Sequence, residues 1–363
     1  MPVLDANSLR TFVAAIFAAA GCSAEESARI AASLVSANLT GHDSHGVVRT
    51  PRYVAWLREG LVRADVEPRI ERATSITAVV DGLYGFGQTV APFAVRLGVE
   101  KALASGLAAI ALKNAGHIGR VGEWAELAAE RGVISIHFVN VQGSLLVAPF
   151  GGVDRRLSTA PFCIGVPIAG GEPIILDFAT SLVAEGKVLV ASRGGPPIPP
   201  DALILPDGRL TGDPAALYGD LSRAERNPEA GEGAIRAFGL HKGSGLAVLC
   251  EILAGALTGN GTAGPREGAR SRITNGMLSF YLRPDVIDDP EAFARRARRF
   301  LAFCRSSRPD RPGGAVLMPG EPERRKREAR ERAGIELPRE VWDSLLATAR
   351  SVGLAPDRIP TAR

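Results

Sequence analysis

Apolar residues recur every three or four positions at the start of the chain. Leu9, Phe12, Val13, Ile16, Phe17 and Ala20 share one face of an amphipathic helix. Ser23 and Glu26 then form a capping box, so a second helix opens there, runs towards Leu39 and stops at Gly41. From residue 76 the period changes. Short β-branched runs at 76–80, 108–112, 133–139 and 173–177 read as strands, separated by helical stretches such as 90–105 and 121–131. That alternation predicts an α/β protein. Residues 192–233, rich in Pro, Gly and Asp, predict a long irregular excursion, after which a helix resumes over 243–257. A further strand is expected at 277–282 and helices at 290–304 and 338–352.

A length of 363 residues allows two domains, yet no internal repeat or low-complexity tether divides the chain. The reading is one interleaved unit: a helical segment at 1–75 packing with C-terminal helices at 325–363, around a central α/β region at 76–324. Hydrophobic residues at 46% and charged residues at 23% suit a soluble globular protein and exclude disordered, collagen-like and disulfide-scaffold classes. The net charge of +4 invites a nucleic-acid or membrane-surface reading. Its source is regional. Residues 291–332 hold twelve arginines and Lys326 against six acids, which leaves the rest of the chain slightly acidic. Both signs recur there at helical spacing, as on solvated helix faces, and no aromatic interleaving suggests base stacking, so no nucleic-acid partner is expected.

The apolar run 9–20 ends just before Cys22 and must be weighed as a leader, but it lacks a charged n-region and has helical periodicity. No other stretch approaches the roughly 20 apolar residues that span a bilayer. A cytoplasmic protein with no membrane contact is expected. Cys22, Cys163, Cys250 and Cys304 lie far apart without a C-x-x-C pair, which suits reduced thiols and gives no zinc framework.

Gly259 to Gly264 matches G-x-G-x-x-G in letters, but it follows a helix and runs into Pro265, whereas the dinucleotide fingerprint needs a strand before it and a helix after it. It reads as a helix C-cap and loop. Other segments carry more chemistry. The turn from Gly41 to Tyr53 concentrates Ser44, His45, Arg49 and Tyr53: a histidine that can move a proton, an arginine that can grip a carboxylate, and hydroxyls that fix orientation. Polar loop capping without chemistry is the bland alternative, and His42 with His45 could instead ligate a metal, although no third ligand is evident nearby. Lys113 to Gly122 follows a strand and presents His117 among Gly116, Gly119 and Gly122, at the strand end where α/β ligands usually sit. A Gly-rich turn with a surface histidine would look the same. Asp177 to Ser181 follows another strand, where Asp177 can accept bonds from a ribose and Thr180 and Ser181 can cap a helix or meet a phosphate. Glu185 to Lys187 reads equally well as plain surface. Gly239 to Gly245 opens a helix whose dipole, amides and Lys242 converge on one point, an anion site or merely a Gly-rich helix start. Only five lysines occur in the chain, which makes Lys242 more telling.

Taken in order, these segments resemble the type-2 malate/L-lactate dehydrogenase family of NAD(P)-dependent oxidoreductases, which includes ureidoglycolate, sulfolactate, diketogulonate and Δ1-piperideine-2-carboxylate enzymes. The resemblance covers nearly the whole chain and rests on six ordered matches: Gly41 to Gly46 with Arg49 and Tyr53, Gly116 to Gly119, Ala148 to Gly152, Leu176 to Ser181, His241 to Gly243 and Met318 to Glu321. It implies a mixed-sheet α/β fold with a non-Rossmann dinucleotide site, a homodimer, and NAD or NADP as cofactor. It further implies that Ser44, Arg49 and Tyr53 bind substrate and that His117, with His45 as its rival, moves the proton. Asp177, Phe178, Ala179, Thr180, Ser181, Lys242, Gly320 and Glu321 would contact the dinucleotide. One departure bears on cofactor grip: relatives tend to read Thr-Asn-Pro where this chain has Thr159, Ala160 and Pro161. The activity implied is hydride transfer between nicotinamide and a small 2-oxo/2-hydroxy acid of the malate or lactate type, or reduction of a cyclic imino acid. Neither needs a metal. A non-catalytic anion or nucleic-acid binder using the basic region is the remote alternative.

Overall fold

A computed structural model describes residues 1–223, 226–264 and 272–362. Seven strands form one mixed sheet. In chain order they are β1 (Arg69–Ala73), β2 (Thr77–Asp81), β3 (Leu107–Ala115), β4 (Ile134–Gln142), β5 (Pro161–Val166), β6 (Ile174–Ala179) and β7 (Thr274–Leu282). Their order across the sheet is β1-β2-β3-β7-β4-β5-β6. β2 and β3 pair in parallel, and the other neighbours pair antiparallel. The helices Gly87–Ser105 and Gly122–Ala129 carry the chain from β2 to β3 and from β3 to β4. β3 and β4 therefore run the same way with a slot between them, and β7 returns late in the chain to fill it.

The sheet begins at Arg69, within the segment that the sequence assigns to helices. β1 and β5 escape the pattern for different reasons: β1 is exposed along its length, and β5 carries Pro161 and Gly165. One face of the sheet packs on the two crossover helices through Val90, Val95, Val99, Ile110, Leu112, Trp124 and Met277. The excursion is less irregular than its composition predicts, since Leu203–Ile204, Leu210–Thr211 and Ala234–Ile235 form a small antiparallel sheet beside one helical turn, Ala215–Tyr218. It has its own core, in which Leu203, Leu217, Tyr218 and Ile235 meet Val188 and Cys250.

A separate helical layer holds the N-terminal segment. The helices Ala6–Ala19, Ala24–Leu39 and Thr50–Arg58 pack with Arg339–Ser351 around Phe12, Phe17, Tyr53 and Trp342. Leu9, Phe12, Ile16 and Phe17 are fully buried, each contributing about 2 kcal/mol of apolar burial. Val3–Leu4 pairs with Ile335–Glu336 and ties the two ends together. The helix His241–Cys250 continues into a π-helical stretch, Glu251–Leu257, and the glycines at 259 and 261 turn the chain at positive φ. The expected run into Pro265 lies outside the described residues. Among the described residues, no helix is long and apolar enough to cross a membrane.

Candidate active site

Two loops meet between the helical layer and the sheet. The first leaves the helix Ala24–Leu39 at Gly41, which takes a left-handed φ of +84°, and passes through two 3-10 turns, Asp43–His45 and Val47–Arg49. Buried Asn38 staples it: Nδ2 donates to Asp43 Oδ1 at 2.6 Å and Oδ1 accepts the Val47 N–H at 2.9 Å. Gly46 is required there, because a Cβ would lie 2.3 Å from that amide oxygen. The second loop leaves β3 at Ala115 and enters the helix Gly122–Ala129. The Ile118 N–H donates to Asn275 Oδ1 on β7 at 2.9 Å, and the Gly122 N–H donates to Asp177 Oδ2 on β6 at 2.7 Å. Gly87 lets the opposing helix press on this loop, since a Cβ would sit 2.3 Å from the His117 carbonyl oxygen.

These anchors bring His45 and His117 together. Their rings stack with centroids 5.5 Å apart and planes 22° apart. Each Nδ1 faces a hydroxyl, Ser44 Oγ at 2.9 Å from His45 and Tyr53 Oη at 2.6 Å from His117. Gln88 Nε2 donates to Tyr53 Oη and to the His117 carbonyl, each at 3.3 Å. Burial holds the His117 imidazole neutral, at a pKa of about 3, with the nearby Arg49 charge as the second cause. Burial likewise lowers His45 well below the usual histidine value, helped by His117 and then Arg49. Burial also pushes the Tyr53 phenol up to about 12, so it remains a protonated hydroxyl.

Arg49 is half-buried, and its Nε donates to the Ser44 carbonyl at 2.6 Å. Among the described residues no carboxylate lies within ion-pairing distance of it. A partly desolvated guanidinium without a counter-charge, beside two neutral imidazoles, is a receptor for an anion. His42 turns elsewhere, with Nε2 at 3.4 Å from Glu323 Oε1. Behind the second loop, buried Arg120 forms a two-point pair with Glu126 at 2.9 and 2.6 Å, and Glu123 receives the Ser33 hydroxyl at 2.7 Å.

The residues expected to meet a dinucleotide form a second grouping along β6. Asp177 gives one oxygen to Gly122, and burial raises its pKa. Phe178 stands half-buried between Phe162 and Phe238, at 5.9 and 5.1 Å, and Ala179 pairs with Pro161. Thr180 is buried, its hydroxyl donating to the carbonyls of Thr159 and Ala160, while Ser181 donates to the Val183 carbonyl. The Phe238 N–H donates to the Thr180 carbonyl, which sets the start of the helix His241–Cys250, with exposed Lys242, beside the end of β6. Gly243 permits this close turn, for a Cβ would lie 2.1 Å from the Phe238 carbonyl oxygen. Gly320, at φ +88°, abuts Ile175, but both Glu321 oxygens are engaged, one by the Met318 N–H at 2.7 Å and one by Arg305 at 2.5 Å. An exposed amine at a helix start beside half-buried aromatic rings fits a ligand carrying phosphates and flat heterocycles.

Sequence patterns single out neither Gln88 nor Asn275. Their one signal is polarity inside otherwise buried, apolar elements. Glu185 is placed inside the site region and not on plain surface, because the backbone of Gly186 lies against Ser44 and Glu185 receives the Tyr218 hydroxyl.

The model of a family described as malate/L-lactate dehydrogenase matches residues 4–346. Hydroxycarboxylate dehydrogenase B of Escherichia coli K12 is 37% identical over 98% of this chain and 96% of its own. A Δ1-pyrroline-2-carboxylate/Δ1-piperideine-2-carboxylate reductase of Pseudomonas putida is 32% identical over 91% of this chain and 92% of its own. Among solved structures, the sulfolactate dehydrogenase of Methanocaldococcus jannaschii superposes with a TM-score of 0.82 at 31% identity, covering 97% of this chain and 98% of that one.

Proposed function

The chain belongs to the malate/L-lactate dehydrogenase family, and from this we propose that it is an NAD(P)-dependent oxidoreductase of small 2-oxo/2-hydroxy acids. The observation that carries the reading is Arg49, a guanidinium with no ion-pair partner among the described residues, beside two stacked neutral histidines. It would hold the substrate carboxylate by charge-assisted bonds and so turn the C2 carbon towards the histidines.

The bound nicotinamide would supply or accept the hydride at C2. His117 would handle the proton. In oxidation of a hydroxy acid its Nε2 takes the proton from the C2 hydroxyl, while Nδ1–H donates to Tyr53, whose own hydroxyl points to the His117 carbonyl at 3.5 Å. In reduction the same nitrogen returns a proton to the C2 oxygen. Substrate helps, because its carboxylate cancels the Arg49 charge that depresses His117. His45 stacks on that ring and is the second candidate for the role.

The cofactor would lie along β6, with Asp177 to Ser181, Lys242 and the Gly320 turn as its contacts. This architecture would not be the Rossmann kind, since the chain's glycine triplet follows a helix. Its cofactor would be NAD or NADP. A cyclic imino acid is the second reading, favoured by the likeness to the Pseudomonas putida reductase, because the same arginine and histidine serve a C=N bond. We also propose a homodimer. Its support is the exposed apolar stripe Val248, Leu249, Ile252 and Leu257 on the helix beyond Lys242.

The test is oxidation of NADH and NADPH, followed by absorbance, with a panel of 2-oxo acids and Δ1-piperideine-2-carboxylate. Turnover of at least one is expected, and no turnover of any of them with either cofactor would overturn the reading. Light scattering should give twice the chain mass.

A further inference from the structure

We infer that Glu185 sets the substrate class of this site, selecting 2-oxo and 2-hydroxy acids whose remote end is neutral or donates a hydrogen bond and rejecting those with a second acidic group. The inference rests on the dehydrogenase reading above.

Glu185 opens the helix Glu185–Ser192 directly after the loop that leaves β6. Its neighbour Gly186 packs so closely on Ser44 that a Cβ would lie 2.6 Å from the serine Cβ, and Ser44 is the residue that holds both His45 Nδ1 and Arg49 Nε. Glu185 is thus one residue from the wall of the pocket. Its carboxylate is fixed by a neighbour. Tyr218, whose ring is buried in the small core of the excursion, donates its hydroxyl to Glu185 Oε1. The charges of Arg49 and Arg193 both act on the same phenol.

Among the described residues Glu185 has no ion pair, although it is half-buried. Arg193, two turns further on, forms its ion pair with Glu340 at 2.8 Å, and Lys187 is exposed. Among the described residues neither Arg49 nor Glu185 has an ion-pair partner, and the two do not pair with each other. A substrate bridging them has its carboxylate on Arg49 and a hydroxyl, an amine or a plain carbon at the other end. A dicarboxylate would bring a second anion towards Glu185, and like charges several ångströms apart at an effective dielectric of about 20 disfavour it by a factor of about ten or more. Tyr218 sharpens this, because a carboxylate tied by a hydrogen bond cannot swing away from the incoming charge.

The experiment compares kcat/KM for 2-oxovalerate and 2-oxoglutarate, equal in chain length and different by one carboxylate. The parent should favour 2-oxovalerate. E185Q should raise the 2-oxoglutarate to 2-oxovalerate ratio about tenfold, and E185K should raise it further. Circular dichroism verifies folding, and if a variant misfolds, the parent's own ratio should rise from low to high salt as the repulsion is screened. A parent that prefers 2-oxoglutarate, or a ratio that stays within twofold in the folded variants, overturns the inference while leaving the dehydrogenase reading standing. A parent that turns over no 2-oxo or imino acid at all sinks both.

Discussion

His117 and His137 are both held neutral at a pKa of about 3, and they do different things. His137 lies on β4 inside the sheet core, wholly buried, with Ser279 Oγ at 2.8 Å from Nδ1 and Ser135 Oγ at 3.0 Å from Nε2. Burial is the one cause of its shift. His117 has a single ring nitrogen engaged, by Tyr53, and the Arg49 charge adds to burial. A depressed pKa marks burial in either place. What separates a site from a core is a ring nitrogen with no hydrogen-bond partner among the described residues, near a cation that no described carboxylate pairs.

The sharpest way to break this comparison is to remove each imidazole. His117→Ala should lower kcat by about 10²–10⁴-fold, the usual size of a general acid–base contribution, with NADH binding retained by fluorescence titration. His137→Ala should change kcat far less. A larger loss from His45→Ala than from His117→Ala would exchange their roles. Arg49→Gln comes next. It should lower kcat/KM for a 2-oxo acid by about a hundredfold, mostly through KM, since a charge-assisted two-point contact is lost. It should also move the acid limb of hydroxy-acid oxidation to higher pH, because a cation that depresses His117 is gone; the limb stays below the free-histidine value of about 6.5, as burial remains.

Stability tests the other half of the comparison. Both histidines have folded pKa values below the unfolded one of about 6.5, so below that pH the unfolded chain binds more protons. Their stabilisation is complete above about pH 6.5 and is lost as pH falls towards 3. Urea unfolding between pH 6 and 4 should show a slope smaller by about 1.4 kcal/mol per pH unit in His137→Gln than in the parent. An unchanged slope would mean that His137 already protonates in the fold. The smallest effect is expected of Tyr53→Phe, about three- to tenfold in kcat, because it removes the hydroxyl that holds His117 Nδ1 and leaves both the imidazole and Arg49 in place.

Much of this was legible along the chain, where the information is local. The capping box at Ser23, the end of the second helix at Gly41 and the strands that became β2, β3, β4 and β6 all follow from spacing and side-chain shape. Ser44, His45, Arg49 and Tyr53 stood out because they crowd one turn. The excursion was misjudged because its strands are two residues long, too short to show a period. Gln88 and Asn275 stayed hidden because each works on a loop far away: Asn275 holds Ile118 across 157 positions, from a strand that fills a slot left by two others.

The sequence by itself determined the α/β alternation, the family likeness and the residue types of a proton carrier and a carboxylate clamp, since these depend on composition and on spacings of a few residues. Tertiary structure alone decided that Tyr53 meets His117 across 64 positions, that Arg49 has no counter-charge among the described residues and that Gly186 lies against Ser44 while Tyr218 holds Glu185. Those are facts about distance and desolvation in space, and the strength of a charge or the proton affinity of an imidazole is set by its surroundings.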